Sequence, residues 1–414
     1  MKSESNQSLV PIIVYFIPEF SNPIISEEDL MGGDINKIIN SKSQEIEDLI
    51  AKINEFCSSY GINPESIFYL FEVGFTSEFP LEKISSLEAD QYVGFLEEDI
   101  IMQSGPASQR SRPRMQGRSR PRMQGRSRPR MQNGELVSLF EPYDTQFNTS
   151  CAVLLSGGPV PNSSSRRIWV LDTGIDGNHP DLNVNSQLST SIPSTLGSPL
   201  VDKNGHGTHC AGIAAAKSTN GNLYGMNGIS MGAELVSVKI LNECGIGRFS
   251  YVFHALEHVL IHKRPGDVVM LCLGAVDPYL SFDTDNPISL RIKWLTELYK
   301  VFVVMSAGND FGDANLNFPG SYSYPTRAIT VAALDYTCQY ISGFALYSNF
   351  GTCAKWAAPG SDIYSTLPNN DYGYMSGTSM ACALTAGIVH AKNDLPSTQD
   401  YITYRGQDYK IPHL

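Results

Sequence analysis

The sequence predicts an α/β fold with a mostly parallel central sheet, preceded by a small α+β unit. Three observations carry that prediction. Arg167-Ile168-Trp169-Val170-Leu171 is a short apolar run closing at Asp172-Thr173-Gly174. It reads as a buried parallel strand with a carboxylate at its C-terminal tip. Val301-Phe302-Val303-Val304-Met305 is a second such run, and it reaches Asn309 through Ser306-Ala307-Gly308. The small apolar runs Cys210 to Ala215 and Met380 to Ala383 suit buried helices packed close beneath a sheet. Ligand chemistry in open α/β sheets sits at strand tips like that of Asp172.

The first 103 residues carry a separate pattern. Pro11 to Ile17 reads as a strand, and Ile35, Ile38, Ile39, Ile46, Leu49, Ile50, Ile53, Phe56 and Cys57 recur at helical spacing. Ile67 to Phe71 reads as a second strand running on toward Phe75. Leu81, Ile84 and Leu87 mark a short helix, and Tyr92 to Ile101 a last strand. That order fits a ferredoxin-like α+β unit.

Charge divides the chain into three. Residues 1–100 hold 5 basic and 19 acidic groups, residues 101–132 hold 9 arginines and no acid, and residues 133–414 hold 16 basic and 23 acidic groups. In the middle block the octapeptide Gln109 to Gln116 recurs almost unchanged at 117–124 and 125–132. Eight residues is too short a period for a solenoid. Its Pro, Gly and close like charges predict an extended, disordered linker over 104–132. A solvated spacer or a cleavable junction both suit it. Nucleic-acid binding is disfavoured, because no nucleic-acid-binding fold accompanies the arginines.

The chemistry lies in four segments: Asp172-Thr173-Gly174, His206-Gly207-Thr208-His209, Ser306-Ala307-Gly308-Asn309 and Gly377-Thr378-Ser379-Met380. A hydroxyl nucleophile needs a base, the base needs an orienting carboxylate, and the tetrahedral oxyanion needs donors. Ser379, His206, Asp172 and Asn309 supply those parts. Ser379 stands at a helix start, where free N–H groups can join Asn309 in holding an oxyanion. The pair His206 and His209 lacks the intervening Glu of H-E-x-x-H, which argues against a metal site.

At these segments the chain resembles the subtilisin-like serine proteases, or subtilases, nearest the proteinase K-type branch. Their Asp, His, Ser chain order is the one found here. Further matches are Val238 to Leu241, Gly245-Ile246-Gly247, Cys272-Leu273-Gly274, Ser348 to Gly351 and Ala358-Pro359-Gly360. The resemblance implies a subtilisin-like three-layer peptidase domain over 133–414 and an inhibitory propeptide over 1–103 that the enzyme removes itself. It implies a serine endopeptidase acting on polypeptides, with its own propeptide as intramolecular inhibitor, and a monomer. Gly245, Ile246 and Gly247 would form one edge pairing with an extended substrate; Cys272, Leu273 and Gly274 would form the other, with Gly308 lining the cleft. No cofactor is required. Structural calcium occurs in the family, but Lys355 stands where the proteinase K branch places a calcium-ligating Asp.

Other departures are plain. After Ala381 the usual Pro and His are replaced in Cys382-Ala383-Leu384-Thr385, Cys272 stands where the family has Ser, and only 27 residues follow Gly387. The altered residues 383–385 and the short tail motivate a rival reading, an inactive subtilase-fold binding module, against which the complete Asp, His, Ser and Asn set argues. Met1 to Gln7 is polar, with Glu4 inside it, and no A-x-A site follows, so no secretory leader is read and no compartment is assigned. No run is long and apolar enough for a membrane span. Eight cysteines in 414 residues are not a disulfide framework, and no pairing is read from them.

Overall fold

The computed structural model describes residues 9–18, 20–26, 29, 35–70, 72–104, 131–132, 135–136, 143–219, 225–277, 286–322 and 327–414. The arginine repeats fall almost wholly outside these. Two compact units are present: residues 1–101 with 248–261, and residues 102–247 with 262–414.

The first unit is built on a four-stranded antiparallel sheet. Leu9–Phe16 lies between Gly74–Pro80 and Val93–Glu98, and Ser66–Phe68 pairs with the outer side of Gly74–Pro80. The helix Ser43–Ser59 buries Ile46, Leu49, Ile53 and Cys57, one stripe at helical spacing. Two expected strands come out differently. The run from Ile67 toward Phe75 breaks after Phe68, because the carbonyls of Tyr69 and Leu70 accept from the N–H groups of Ile24 and Ile25 instead. The last strand stops at Glu98, because Asp99 turns aside to accept from Ser250 N–H at 2.9 Å and Ser250 Oγ at 2.7 Å. Ser250 lies in the first turn of the helix Phe249–His262, where a carboxylate satisfies otherwise orphaned N–H groups. That helix packs on the sheet through Phe253, whose ring meets Phe68 edge-on at 5.3 Å.

The second unit centres on a large sheet. Its strands run in the order Thr190–Ser191, Glu234–Lys239, Arg167–Asp172, Val268–Leu271, Phe302–Ser306, Ala328–Tyr336, Trp356–Pro359, Gln407–His413 and Ser397–Tyr404. Every pairing is parallel until the last, which is antiparallel, and Ile341–Phe344 adds antiparallel to Ala328–Tyr336. The short tail therefore ends as a hairpin that extends the sheet.

The strand Arg167–Asp172 is buried at every position, as its apolar run predicts. Its charged first residue is held by Asp267, which accepts from Arg167 N–H at 2.8 Å, Arg167 Nε at 3.2 Å and Trp169 Nε1 at 2.9 Å. That pairing keeps a buried guanidinium from standing uncompensated. The helices His206–Ala215 and Thr378–Lys392 pack on one another, and Thr378–Lys392 lies against Val268–Leu271, Phe302–Ser306 and Ala328–Tyr336. Both helices are lined with small residues, which permits that close approach.

One disulfide joins Cys151 to Cys338 across 187 residues of sequence. Closing so long a loop restricts the unfolded chain by about 5 kcal/mol in the chain-entropy account. Cys151→Ser should lower the melting temperature by roughly 10 °C. A thermal melt unchanged within 2 °C or so would show that the bridge contributes little.

Candidate active site

Asp172 ends its strand at the C-terminal edge of the sheet, and His206 opens the helix His206–Ala215. Both carboxylate oxygens of Asp172 lie 2.9 Å from His206 Nδ1. A carboxylate only accepts, so Nδ1 carries the proton and donates, leaving Nε2 with the lone pair. Nε2 is buried and has no hydrogen-bond partner. Burial alone would push the His206 imidazole down, but the Asp172 carboxylate outweighs it and holds the pKa above the ordinary histidine value.

Gly207 is required by packing. A Cβ there would sit 2.1 Å from the Gly174 carbonyl oxygen and 3.1 Å from Asp172 Cβ, so only glycine lets this helix close onto the strand tip. His209 is turned away. Its Nε2 lies 3.0 Å from the Ile363 carbonyl and 3.2 Å from that of Gly373, and burial drives its pKa down to about 3, so it is neutral and structural.

Asp202 organises this region and was not singled out in the sequence. Its buried carboxylate accepts from Gly205 N–H at 2.8 Å, Thr208 N–H at 2.9 Å, Thr208 Oγ1 at 2.7 Å and Thr173 Oγ1 at 2.9 Å. One side chain thus ties the loop before His206 to the loop after Asp172. A short-range signal existed: an Asp three residues before a helix N-cap glycine is a common loop-forming acceptor.

Ser379 is the second residue of the helix Thr378–Lys392, where backbone N–H groups have no partner within the helix. Asn309 lies beside it. The Asn309 Oδ1 accepts from Thr378 N–H at 2.8 Å and Thr378 Oγ1 at 3.0 Å. Those two bonds fix the amide flip, so Nδ2 is the free end. The loop holding Asn309 is pinned by Asn349 Oδ1, which accepts from Asp310 N–H at 2.9 Å and Gly312 N–H at 2.8 Å. Gly308 has φ +98° and a Cβ there would lie 2.3 Å from Asn349 Nδ2, so the bend needs glycine.

The structure brings Asp172 and His206 together directly, but the Ser379 to His206 hydrogen bond is not made. Instead the Ser379 hydroxyl donates to the Cys272 carbonyl at 3.3 Å. Gly274 exchanges two backbone bonds with Gln103, at 3.1 and 3.0 Å, and the Gly245 carbonyl accepts from Ser104 N–H at 2.9 Å. Residues 102–104 therefore lie extended between the two glycine-rich edges, with the Met102 side chain fully buried. Cys272, Leu273, Gly274, Gly308, Asn309 and Ser379 line one cavity with Gln103.

Among the described residues, one group of three His, Cys, Asp or Glu side chains is close enough to share a metal ion: Asp172, His206 and Cys210. Its mixed oxygen, nitrogen and sulfur donors are unlike the all-oxygen cage a calcium ion takes.

The family model for the subtilase family matches residues 165–401. Thermitase from Thermoactinomyces vulgaris is 32% identical over 229 residues, covering 55% of this chain and 75% of that protein. The thermophilic serine proteinase of Bacillus sp. (strain AK1) is 34% identical over 263 residues, 61% of each chain. Subtilisin E of Bacillus subtilis (strain 168) is 33% identical over 226 residues, 54% of each chain. Among solved structures, a cold-adapted subtilisin-like serine proteinase matches with a TM-score of 0.51 at 24% identity, covering 62% of this chain and 92% of that one. This last likeness concerns the fold.

Proposed function

The chain belongs to the subtilase family of subtilisin-like serine endopeptidases, and on that premise we propose that Ser379, His206, Asp172 and Asn309 are its catalytic residues, that polypeptides are its substrates, and that it is made as a zymogen. The observation that carries this reading is the buried Asp172–His206 pair with an unpartnered Nε2. Ser379 attacks the scissile carbonyl while His206 Nε2 takes its proton and later returns it to the leaving amine. Asp172 holds the tautomer and offsets the imidazolium charge. Asn309 Nδ2 and the Ser379 N–H hold the oxyanion.

The Cys272 carbonyl has a part in this. It accepts the Ser379 hydroxyl in the present structure, and it lies two residues before Gly274, which pairs with Gln103. Gln103 opposes Gly274 antiparallel, so a peptide in that register brings its next inward N–H toward Cys272. An incoming N–H that takes the carbonyl frees the hydroxyl to turn to His206. Catalytic hydrogen bonds often tighten only in the substrate complex.

The extended segment Met102 to Ser104 supports the zymogen reading, with residues 1–103 as inhibitory propeptide, 104–132 as linker and 133–414 as peptidase domain. The strand order of the N-terminal sheet supports a ferredoxin-like propeptide, and the first cut is assigned near Met102-Gln103-Ser104. The branch assignment, nearest proteinase K, rests on the motif resemblance, as does the monomeric state. Among the described residues no helix is long and apolar enough to cross a membrane.

Maturation tests the reading. Purified wild type should lose residues 1–103, and Ser379→Ala should keep them. The separate 1–103 fragment should inhibit the matured enzyme at nanomolar to micromolar concentration, the range of a standard interface. A Ser379→Ala chain processed at the wild-type rate in pure form would remove the autocatalytic assignment. The rival reading, an inactive binding module, draws on the Ser379 hydroxyl being turned away from His206. Failure of a fluorophosphonate to label Ser379 in the matured protein would favour it.

A further inference from the structure

Three of the free cysteines stand in a row behind Ser379. Cys210 lies one helical turn after His206 and on the same face. Cys272 follows the strand Val268–Leu271, and Cys382 lies three residues after Ser379. All three are buried and unbridged. The Cys272 thiol donates to the Ser379 carbonyl at 3.3 Å, and Cys210 Sγ lies 4.0 Å from the same oxygen. The two sulfurs of Cys210 and Cys272 thus converge on one carbonyl oxygen. The Cys382 thiol donates to the Val304 carbonyl at 3.3 Å. Cys210 Sγ also lies within 4.8 Å of the nearest Asp172 and His206 donor atoms.

Two segments that build the active centre therefore meet through a pair of sulfurs: the helix carrying His206 and the substrate edge opening at Cys272. We propose that Cys210 and Cys272 are a reversible oxidation site, at which a hydroperoxide converts the two thiols to a disulfide and switches the peptidase off. Cys272 is the first reactant, because it lines the cavity that Ser379 also lines. Its thiolate attacks a peroxide oxygen, the O–O bond breaks, and water (or an alcohol) leaves, giving a sulfenic acid. The Cys210 thiolate then attacks that sulfur, the S–O bond breaks, and a second water leaves. The two sulfurs supply two electrons, and the peroxide accepts them. Burial pushes both thiols well above the ordinary cysteine value, so the reaction is slow at neutral pH and faster in alkali.

The consequence for catalysis is mechanical. An S–S bond is about 2 Å long, shorter than any contact between separate thiols. Forming it draws Cys210 toward Cys272 and carries His206 with the helix. It also withdraws the thiol donor from the Ser379 carbonyl. Displacements near 1 Å at a catalytic group cost about 100-fold.

This inference rests on the active-centre reading above, so the experiment separates the two. Full-length protein that has been allowed to mature is treated with hydrogen peroxide, alkylated and mapped by peptide mass, while turnover of a peptide substrate is followed in parallel. A Cys210–Cys272 peptide should appear as turnover falls roughly 100-fold. Dithiothreitol should remove the bridged peptide and restore turnover, corrected for unoxidised protein given the same reductant, since the Cys151–Cys338 bridge is also reducible. Cys382→Ala should still switch, and Cys210→Ala should keep its own starting activity through the treatment. A Cys272–Cys382 bridge in place of Cys210–Cys272, an equal loss in Cys210→Ala, or a mapped Cys210–Cys272 bridge with undiminished turnover would each overturn the proposal. Absence of turnover before oxidation would count against the catalytic reading instead, and the mass map would still decide whether the bridge forms.

Discussion

Ser379→Ala should reduce turnover of a peptide substrate by on the order of 10⁶, with the fold intact. The magnitude is taken over from subtilisin, a member of the same family. The physical reason is that the step has no substitute nucleophile. Ser379 is the hydroxyl at the start of a buried helix, beside an Asn309 amide whose orientation Thr378 fixes. The other hydroxyl there, Thr378 Oγ1, is engaged with Asn309 Oδ1 at 3.0 Å and with Gly308 N–H at 3.2 Å. Removing one oxygen atom from Ser379 leaves the helix start, the cleft edges and the Asp172–His206 pair in place. Circular dichroism and melting temperature should therefore match wild type. Asn309→Ala should be milder, at roughly 10²–10³ in kcat, because one oxyanion donor is lost while the N–H of Ser379 remains. A Ser379→Ala protein that hydrolyses the peptide at the wild-type rate would show that the mechanism is wrong. A loss for Asn309→Ala as deep as that for Ser379→Ala would mean that Asn309 has a role beyond the oxyanion.

The site was legible where residue type and geometry are bound together locally. Asp172 closes an apolar strand, His206 and Ser379 open helices, and the flanking Gly207 and Gly308 mark places that tolerate no side chain. What the sequence hid lies mostly in contacts between distant segments. Asp202 is one acid among 42 acidic residues, and its role appears only when donors from Thr173, from Asn204 and Gly205, and from Thr208 in the helix converge on it. The break after Phe68 depends on Ile24 and Ile25, more than forty residues earlier. The disulfide joins residues 187 apart, a separation at which composition says nothing about pairing. The tail after Gly387 was readable in principle. Arg405 and Gly406, at φ +52° and +81°, form the tight turn of its hairpin. An Arg-Gly pair is a weaker hairpin signal than Asn-Gly, and the flanking runs alternate imperfectly.

The thiol row shows the same limit from another side. Cys210 and Cys382 could be placed near the chemistry from their motifs, and Cys272 stood out as a departure. That Cys210 and Cys272 converge on one carbonyl, that of Ser379, depends on a strand end and two helices meeting there. Substitutions at separate motifs can thus build a feature that none of the motifs encodes alone.

Asp172→Asn should lower kcat by roughly 10⁴, the magnitude the equivalent carboxylate carries in subtilisin. The cause is the tautomer. Both oxygens of Asp172 lie 2.9 Å from His206 Nδ1, and Oδ1 also accepts from Thr173 N–H at 2.6 Å. Thr173 N–H holds one position as an acceptor, so an asparagine places its oxygen there and its NH₂ against Nδ1. The imidazole then accepts at Nδ1 and carries its proton on Nε2, where the base must be free. The pH profile separates this from a merely structural effect. Activity needs neutral His206, so it rises with pH through the His206 pKa. In wild type burial opposes protonation, but the Asp172 carboxylate outweighs it and the value is raised, so the acidic limb lies above the ordinary histidine range. Removing the negative charge leaves burial to dominate and lowers the pKa. The acidic limb of kcat/KM should therefore move to lower pH in Asp172→Asn, while the plateau falls. A loss under tenfold, or an acidic limb that stays in place or moves upward, would show that Asp172 neither sets the tautomer nor supports the imidazolium.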